Sequence, residues 1–136
     1  MARAMERLEI IADTYLSPST PSQLAVPHLL HHRDLAQAPI LQRLRQNLAA
    51  VDSLHTSRSA WQRLKVEGGW SVVLRIPAAR SELDWAVGLV EEEGVVVHPG
   101  FFFDFPSPAF VALSLIVPPE EFREGLERIT RRFDQG

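Results

Sequence analysis

The chain has 136 residues, of which 46% are hydrophobic and 23% are charged, a composition typical of one globular domain. Its net charge of -3 argues against nucleic acid or an anionic membrane as a partner, because both require a clustered basic excess. It has no cysteine, which excludes disulfides and thiolate metal sites. With neither a signal-peptide pattern nor a membrane-length apolar run, the chain is expected to be cytoplasmic.

The N-terminal part is predicted to be helical. Residues 1–15 carry apolar side chains at helical spacing, namely Met5, Leu8, Ile11, Ala12 and Tyr15. Thr20 followed by Pro21 predicts the N-cap and first position of a second helix that reaches about Leu30. Pro27 should end or kink that helix.

A third helix is predicted to begin at Pro39. Its apolar stripe consists of Ile40, Leu41, Leu44, Leu48, Val51 and Leu54. Its opposite face is expected to be solvated and consists of Gln42, Arg43, Arg45, Gln46 and Asn47. The helix therefore has one face to bury against a later element.

Beyond Trp61 the pattern changes to strands. Trp61–Val66 and Trp70–Ile76, separated by the turn Glu67–Gly69, predict a β-hairpin. The β-branched run Val95–Val97 and the apolar run Phe110–Ile116 predict two further strands. Between these strands a Pro-Gly turn follows the first, and Pro106 and Pro108 delay the second.

Two helices are interleaved with these strands. Ser81 and Asp84 form a weak capping box for a helix that runs to about Glu93 and ends at Gly94. Its buried side chains are predicted to be Leu83, Ala86, Val87 and Val90. The last helix starts at Pro118–Pro119 and buries Phe122, Leu126, Ile129 and Phe133. The order of elements predicts an α/β two-layer sandwich, in which helices cover one face of a small four-stranded sheet.

Several segments in this order resemble the C-terminal small domain of class I/II (fold-type I) aminotransferases, which depend on pyridoxal phosphate. They are LEIIADTYLSPSTPSQLAVPHLL, the predicted helix from Ile40 to Leu54, the Gly-Gly-aromatic strand VEGGWSVVLRIP and the Pro-Gly-x-x-Phe turn in HPGFFFDF. The resemblance implies that residues 1–35 are helices left from a truncated large domain, and that 36–136 are the small domain. The abrupt start within a helix also favours truncation.

The resemblance implies a function for a longer parent protein. That parent would be a homodimer that transfers an amino group between an amino acid and a 2-oxo acid, with pyridoxal phosphate held by the missing N-terminal large domain. Ser17, Ser19 and Thr20 would lie near the cofactor of the partner subunit. The substrate pocket would include Gly69, Trp70, His98, Pro99, Gly100 and Phe103.

The chain also departs from the family pattern. Pyridoxal-phosphate chemistry needs a Schiff-base lysine, and the only lysine, Lys65, is not at the family's position. We therefore expect no catalytic residue and no bound cofactor in the chain on its own. The arginine that clamps the substrate carboxylate in the family is replaced by Ala112. Either another residue such as Arg75 binds that carboxylate, or the parent accepts a different substrate.

Simpler roles are available for most candidate residues. The spacing of His28, His31 and His32 could place two imidazoles on one helix face, but a third ligand is missing, so we predict no metal site. Glu91–Glu93 are expected to be solvated, and Asp104 is expected to cap local amides.

Structural roles are also expected for the aromatic residues and for His98. Trp70 is expected in the core, as are at least two rings of the cluster Phe101, Phe102, Phe103 and Phe105. His98 would more commonly serve packing or hydrogen bonding than substrate binding. The alternative to an aminotransferase domain is a stand-alone α/β binding or oligomerisation module, with Phe101–Phe105 as its contact surface.

Overall fold

The structure is a computed structural model that describes residues 2–15, 18–105 and 109–135. The predictions for Ser17, Pro106 and Pro108 lie outside the described residues. The chain divides into two compact units, Met1–Gln37 and Ala38–Gly136.

The first unit is helical, as predicted. Helix α1 is Ala2–Thr14, α2 is Thr20–His31, and α3, Arg33–Leu54, begins in this unit. The described side chains of α1 and α2 from Arg3 onward are exposed. These helices thus expose apolar residues that would normally pack against other elements: Met5, Leu8, Ile10, Ile11, Leu24, Val26, Leu29 and Leu30. Tyr15, directly after α1, is exposed as well.

Two predicted helix boundaries were wrong, and one of the two alternatives for Pro27 is excluded. The N-cap of α2 is Ser19 rather than Thr20, because Ser19 is extended while Thr20 is already helical. Pro27 lies inside α2 without ending it, since the His32 amide closes the last turn by donating to His28 and Leu29 oxygens. Pro39 also lies inside a helix, because α3 starts at Arg33.

The second unit contains a four-stranded antiparallel sheet of order β1-β2-β4-β3. The strands are β1 Gln62–Arg63, β2 Ser71–Arg75, β3 His98–Pro99 and β4 Phe110–Ser114. Helix α4 is Glu82–Glu93, α5 is Pro119–Gln135, and a 3₁₀ helix, Gly100–Phe103, follows β3. Mixed helices around a small sheet confirm the predicted α/β class.

The strands are shorter than the sequence predicts. The clearest case is Val95–Val97, and the C-terminal end of α4 explains it. Ser81 accepts the Asp84 amide at 3.0 Å, and Gly94 ends the helix in the left-handed conformation at φ 65°. The Val95 amide then donates to Leu89 oxygen at 2.9 Å as part of that helix end. Val95–Val97 is therefore not a strand, and β3 consists only of His98–Pro99.

One face of the sheet, which we call the core face, is buried beneath α3, α4 and α5. The two central strands, β2 and β4, contribute Val72, Leu74, Val111 and Leu113 to this face, all buried. The predicted buried face of α5 is confirmed, since Phe122, Leu126, Ile129 and Phe133 all belong to this core. The prediction for α4 was right only for Ala86; Trp85 and Leu89 are buried, whereas Leu83, Val87 and Val90 are exposed.

Asn47 lies on the buried side of α3, so its predicted solvation was wrong. It is 1% exposed, and its Nδ2 donates to the carbonyl oxygens of Leu115 at 2.9 Å and Val117 at 2.7 Å. These two carbonyls follow the end of β4. The amide therefore joins α3 to the connection between β4 and α5. From the predicted stripe, Val51 is buried, whereas Ile40 and Leu41 are exposed.

Among the described residues, no helix is both long enough and apolar enough to span a lipid bilayer.

Candidate functional site

The other face of the sheet, which we call the open face, carries the candidate site. Strand residues alternate between faces, and cross-strand partners share a face. The register therefore places one set of alternate residues on the open face: Ser71, Val73, Arg75, His98, Phe110, Ala112 and Ser114. Ser71, Arg75 and His98 are exposed. This face offers polar and cationic groups, whereas the residues that β2 and β4 place on the core face are apolar.

Ala112 lies in the middle of the open face. It is paired with Val73 on one side and with His98 on the other, and it is buried. An arginine at this position would place its guanidinium over the face, where Ala112 contributes only a methyl group. The position that the resemblance assigns to the family's arginine therefore lies at the centre of the open face.

Arg75 is the cation of the open face. Its cross-strand partner is Phe110, and its guanidinium carbon lies 5.5 Å from the centroid of the Phe110 ring. Arg75 and Ala112 are diagonal neighbours, a separation of about 7–8 Å that long side chains can span. The ring supports the guanidinium from one side and leaves it exposed on the other.

The segment Phe101–Phe105, which we call the aromatic loop, borders the open face beside His98. The rings of Phe102 and Phe103 lie 6.4 and 6.3 Å from the His98 ring. Phe105 stacks on Phe110 at 4.9 Å. Phe101, Phe102 and Phe103 are more than half exposed, so the prediction that at least two cluster rings are buried was wrong. The 3₁₀ helix turns these rings outward.

Gly69 and Trp70 lie at the end of β2 where Ser71 pairs with Ser114. Gly69 has φ 77°, which a side chain would strain. Trp70 is 63% exposed, so the expectation of a core tryptophan was wrong. Its backbone oxygen accepts the Leu115 amide at 2.7 Å, which fixes the main chain and leaves the indole outside the core.

The predicted pocket residues are only partly brought together. His98 and Phe103 are neighbours, and Pro99 and Gly100 are buried directly after His98. A groove of ≈ 320 Å³ includes His98, Ser114 and residues of α5, but not Gly69 or Trp70. The pocket assignment remains a prediction.

Ser19 and Thr20 belong to the first unit. The Ser19 hydroxyl lies 2.9 Å from that of Ser22, a local contact at the start of α2. The assignment of Ser19 and Thr20 to a cofactor site also remains a prediction.

Glu82 is the functional candidate that the sequence reasoning missed. It is the first residue of α4 and is 6% exposed. Its Oε2 accepts the Phe101 amide at 2.8 Å, and its Oε1 accepts the Phe110 amide at 2.7 Å. An acidic residue directly after the N-cap Ser81 was the available signal, but that position usually indicates only a favourable helix start.

The remaining candidates have structural explanations. Within the described ranges, no group of three or more His, Asp or Glu side chains could hold a metal. Glu92 pairs with Arg132 at 2.7 Å and Glu93 with Arg131 at 3.5 Å, so both link α4 to α5. Asp104 is exposed and left-handed at φ 53°, and its own amide donates to Phe101 oxygen.

At the opposite edge of the sheet, Arg63 of β1 donates from Nε to Asp52 of α3 at 2.5 Å. The hydrogen bond that Arg63 donates to the Asp52 carboxylate is the largest influence and raises the pKa of Arg63; burial opposes it, and the negative charge of Asp52 adds a smaller increase. This pair joins β1 to the C-terminal part of α3. It lies on the strand farthest from the aromatic loop.

The sequence matches the family described as Aminotransferase class I and II over residues 1–129. No curated protein matches it. A probable N-succinyldiaminopimelate aminotransferase from Thermus thermophilus is similar at 25% identity and a TM-score of 0.54, over 68% of this chain and 23% of that chain.

Two further solved structures show the same fold. YbdL from Escherichia coli, described with a methionine aminotransferase function, has 21% identity and a TM-score of 0.66 over 85% of this chain and 31% of that one. A kynurenine aminotransferase from Pyrococcus horikoshii has 18% identity and a TM-score of 0.66 over 79% of this chain and 27% of that one. The chain thus spans less than a third of each of the three structures. Because the family match covers nearly the whole sequence, the chain belongs to the class I and II aminotransferase family.

Proposed function

We propose that this chain is the small domain of an aminotransferase and that its open face forms one wall of the substrate pocket. The complete enzyme would transfer an amino group between an amino acid and a 2-oxo acid. One observation carries this proposal: the core face is filled by helices, whereas the open face presents Ser71, Arg75 and His98 beside exposed aromatic rings. Such a mixed face suits a substrate with a charged end and an apolar part.

Enzymes of this family depend in general on pyridoxal phosphate, which supplies the electron sink for the amino acid's reaction. The residues of this chain do not fit that group by themselves. Lys65 is exposed beside the Gly68–Gly69 turn and pairs with Glu67. A Schiff-base lysine instead requires an enclosed position that lowers its pKa. We therefore propose that a large domain holds the cofactor and that the small domain shapes the pocket and excludes water.

We further propose that Arg75 binds the substrate carboxylate. Ala112 removes the usual cation from the centre of the open face, and Arg75 lies on the same face within reach of that position. Its guanidinium is oriented by Phe110 and can offer two parallel N–H groups to a carboxylate. The substrate carboxylate would then be bound by a residue of β2, Arg75, instead of by a residue of β4 at the position of Ala112.

The remaining parts of the assembly follow from the same proposal. Residues 1–35 would pack within the large domain, which would cover the apolar side chains that α1 and α2 expose, and residues 36–136 would move as the small domain. The enzyme would be a cytoplasmic homodimer in which Ser19 and Thr20 approach the partner subunit's cofactor.

The test is steady-state kinetics of the complete enzyme that contains this chain, loaded with pyridoxal phosphate. Amino-group transfer should be measurable, and Arg75→Met should raise KM for the amino acid about 10- to 100-fold, because two charge-assisted hydrogen bonds are lost. Arg80→Met is the matched control, since the Arg80 guanidinium lies over the Trp85 ring away from the open face. An unchanged KM in Arg75→Met would remove Arg75 from the proposal.

The division of labour has a separate test on the 136-residue chain. Treatment with one equivalent of pyridoxal phosphate, followed by borohydride, should give no stoichiometric adduct, because exposed Lys65 would form an imine only as weakly as a free amine does. Stoichiometric labelling of Lys65, or turnover of amino acids by this chain alone, would contradict the proposal.

The exposure of Phe101, Phe102 and Phe103 also supports the second candidate, a stand-alone binding or oligomerisation module that uses the aromatic loop. The reading frame upstream of Met1 discriminates between the two candidates. A Schiff-base lysine and a glycine-rich phosphate loop encoded there would support the aminotransferase. A stop codon there would support the module.

A further inference from the structure

The Glu82 carboxylate bridges the two ends of one loop. Phe101 lies in the 3₁₀ helix at the start of that loop, and Phe110 is the first residue of β4 at its end. The two carboxylate oxygens accept one amide each, at 2.8 Å from Phe101 and 2.7 Å from Phe110. A single side chain from α4 thus closes the loop that carries the aromatic rings.

The packing around this contact leaves little freedom. A Cβ on Gly100 would lie 2.8 Å from Glu82 Oε1 and 2.8 Å from Phe110 Cβ, so the backbone approaches the carboxylate as only glycine allows. Ala109, directly before Phe110, has φ 82°, a conformation that costs free energy for a residue with a side chain. Such a conformation persists only where its neighbours hold it. Here Glu82 holds the Phe110 amide, and Ala109 oxygen accepts the Ile76 amide at 2.9 Å.

The desolvation cost of burying the Glu82 carboxylate is offset by its immediate surroundings. Glu82 is the first residue of α4, where the helix dipole favours a negative charge, and it accepts two strong hydrogen bonds. A buried carboxylate without such partners would be costly, and a methyl or amide group could not satisfy both amides. The site therefore requires a carboxylate of this length.

We infer that Glu82 is the positioning residue of the aromatic loop: its carboxylate fixes Phe102, Phe103 and His98 along the open face. The inference rests on the proposed function only for its kinetic consequence, that the loop forms an ordered wall against the apolar part of the substrate. Glu82 itself touches no substrate. It acts through the two amides that it binds.

The structural part is tested on the isotope-labelled 136-residue chain. Couplings across the hydrogen bonds should connect the Glu82 carboxyl carbon to the amide nitrogens of Phe101 and Phe110 in the unsubstituted chain. In Glu82→Gln one oxygen remains, so hydrogen exchange should accelerate about fivefold to tenfold at one or both amides. Amides of the β2–β4 ladder serve as the internal reference. Glu91→Gln, the same change at an exposed position of α4, should leave both amides unchanged.

Missing couplings in the unsubstituted chain would overturn the inference even if Glu82→Gln failed to fold. So would equal acceleration of the Phe101, Phe110 and ladder amides, which indicates a general loss of stability. The kinetic part uses the complete enzyme, where Glu82→Gln should raise KM about tenfold and change kcat less than about threefold. A fall in kcat without a change in KM would refute the positioning role. If the enzyme transfers no amino group yet both couplings are present, the proposed function fails and the loop contact stands.

Discussion

The two faces of the same four-stranded sheet differ in how much of their surface is buried. On the core face, Val72 and Leu74 are fully buried beneath three helices. On the open face, Ser71 and Arg75 of the same strand are exposed. Alternation along one strand therefore separates stability from recognition: one set of residues holds the unit together, and the other remains available to a substrate or a second domain.

The largest expected effect comes from shortening one side chain of β2 on each face of the sheet in turn. Leu74→Ala should lower the free energy of unfolding by about 2–5 kcal/mol, because it leaves a cavity in the core. Val73→Ala, one residue earlier and half-buried on the open face, should cost less than about 1 kcal/mol. Urea denaturation measures both. Equal losses would mean that the open face is covered in solution.

An intermediate effect is expected at Gly100, where β3 passes into the 3₁₀ helix. Gly100→Ala would force a methyl group against Glu82 and Phe110 and should cost about 1–3 kcal/mol. Gly68→Ala is the matched control, because a Cβ there meets nothing within 4 Å. It should be neutral or stabilise the chain by up to about 1 kcal/mol. Thermal denaturation of both variants checks the difference, and a harmless Gly100→Ala would show that the turn can move.

The smallest effect is expected at the outer edge strand, where Arg63 and Asp52 are both partly exposed. Asp52→Asn should cost about 0–1 kcal/mol, and the difference should shrink in high salt. The pKa of Arg63 is raised, so its stabilising charge is present below its ordinary pKa and is lost only as pH rises through the higher folded value. Near neutral pH the arginine side of this pair should therefore add no pH dependence. A strong dependence on pH that Asp52→Asn abolished would contradict this.

The buried face of α5 could be predicted because its sequence has a single apolar stripe. Its apolar residues form a single stripe between charged ones, and all four predicted core residues are buried. In α4, apolar residues occur on nearly every side, so periodicity alone could not select the buried face. Trp85 decides it: its ring packs edge-on against Phe133 at 5.1 Å, and its Nε1 donates to Pro77 oxygen at 3.0 Å. The helix is turned by about one residue from the prediction.

The aromatic loop shows the same limit at the candidate site. The sequence identified a break at Gly100, where β3 ends and the 3₁₀ helix begins, but Pro99 is itself the last residue of β3. The sequence could not show that Phe101, Phe102 and Phe103 point outward, since a phenylalanine-rich segment usually enters a core. Nor could it show that Glu82 meets Phe101 and Phe110, which lie 19 and 28 residues away along the chain.

By itself, the sequence determined the helix ends at Ser81 and Gly94, the buried stripe of α5 and the α/β class, because these depend on local backbone chemistry and on spacing along the chain. The aminotransferase family came instead from the resemblance of several motifs in order. Only the tertiary structure decided that Asn47 and Glu82 are buried and that Trp70 is exposed. Each of these depends on contacts between segments far apart in the chain, and local propensity carries no information about which distant amide or carbonyl a buried polar group will meet.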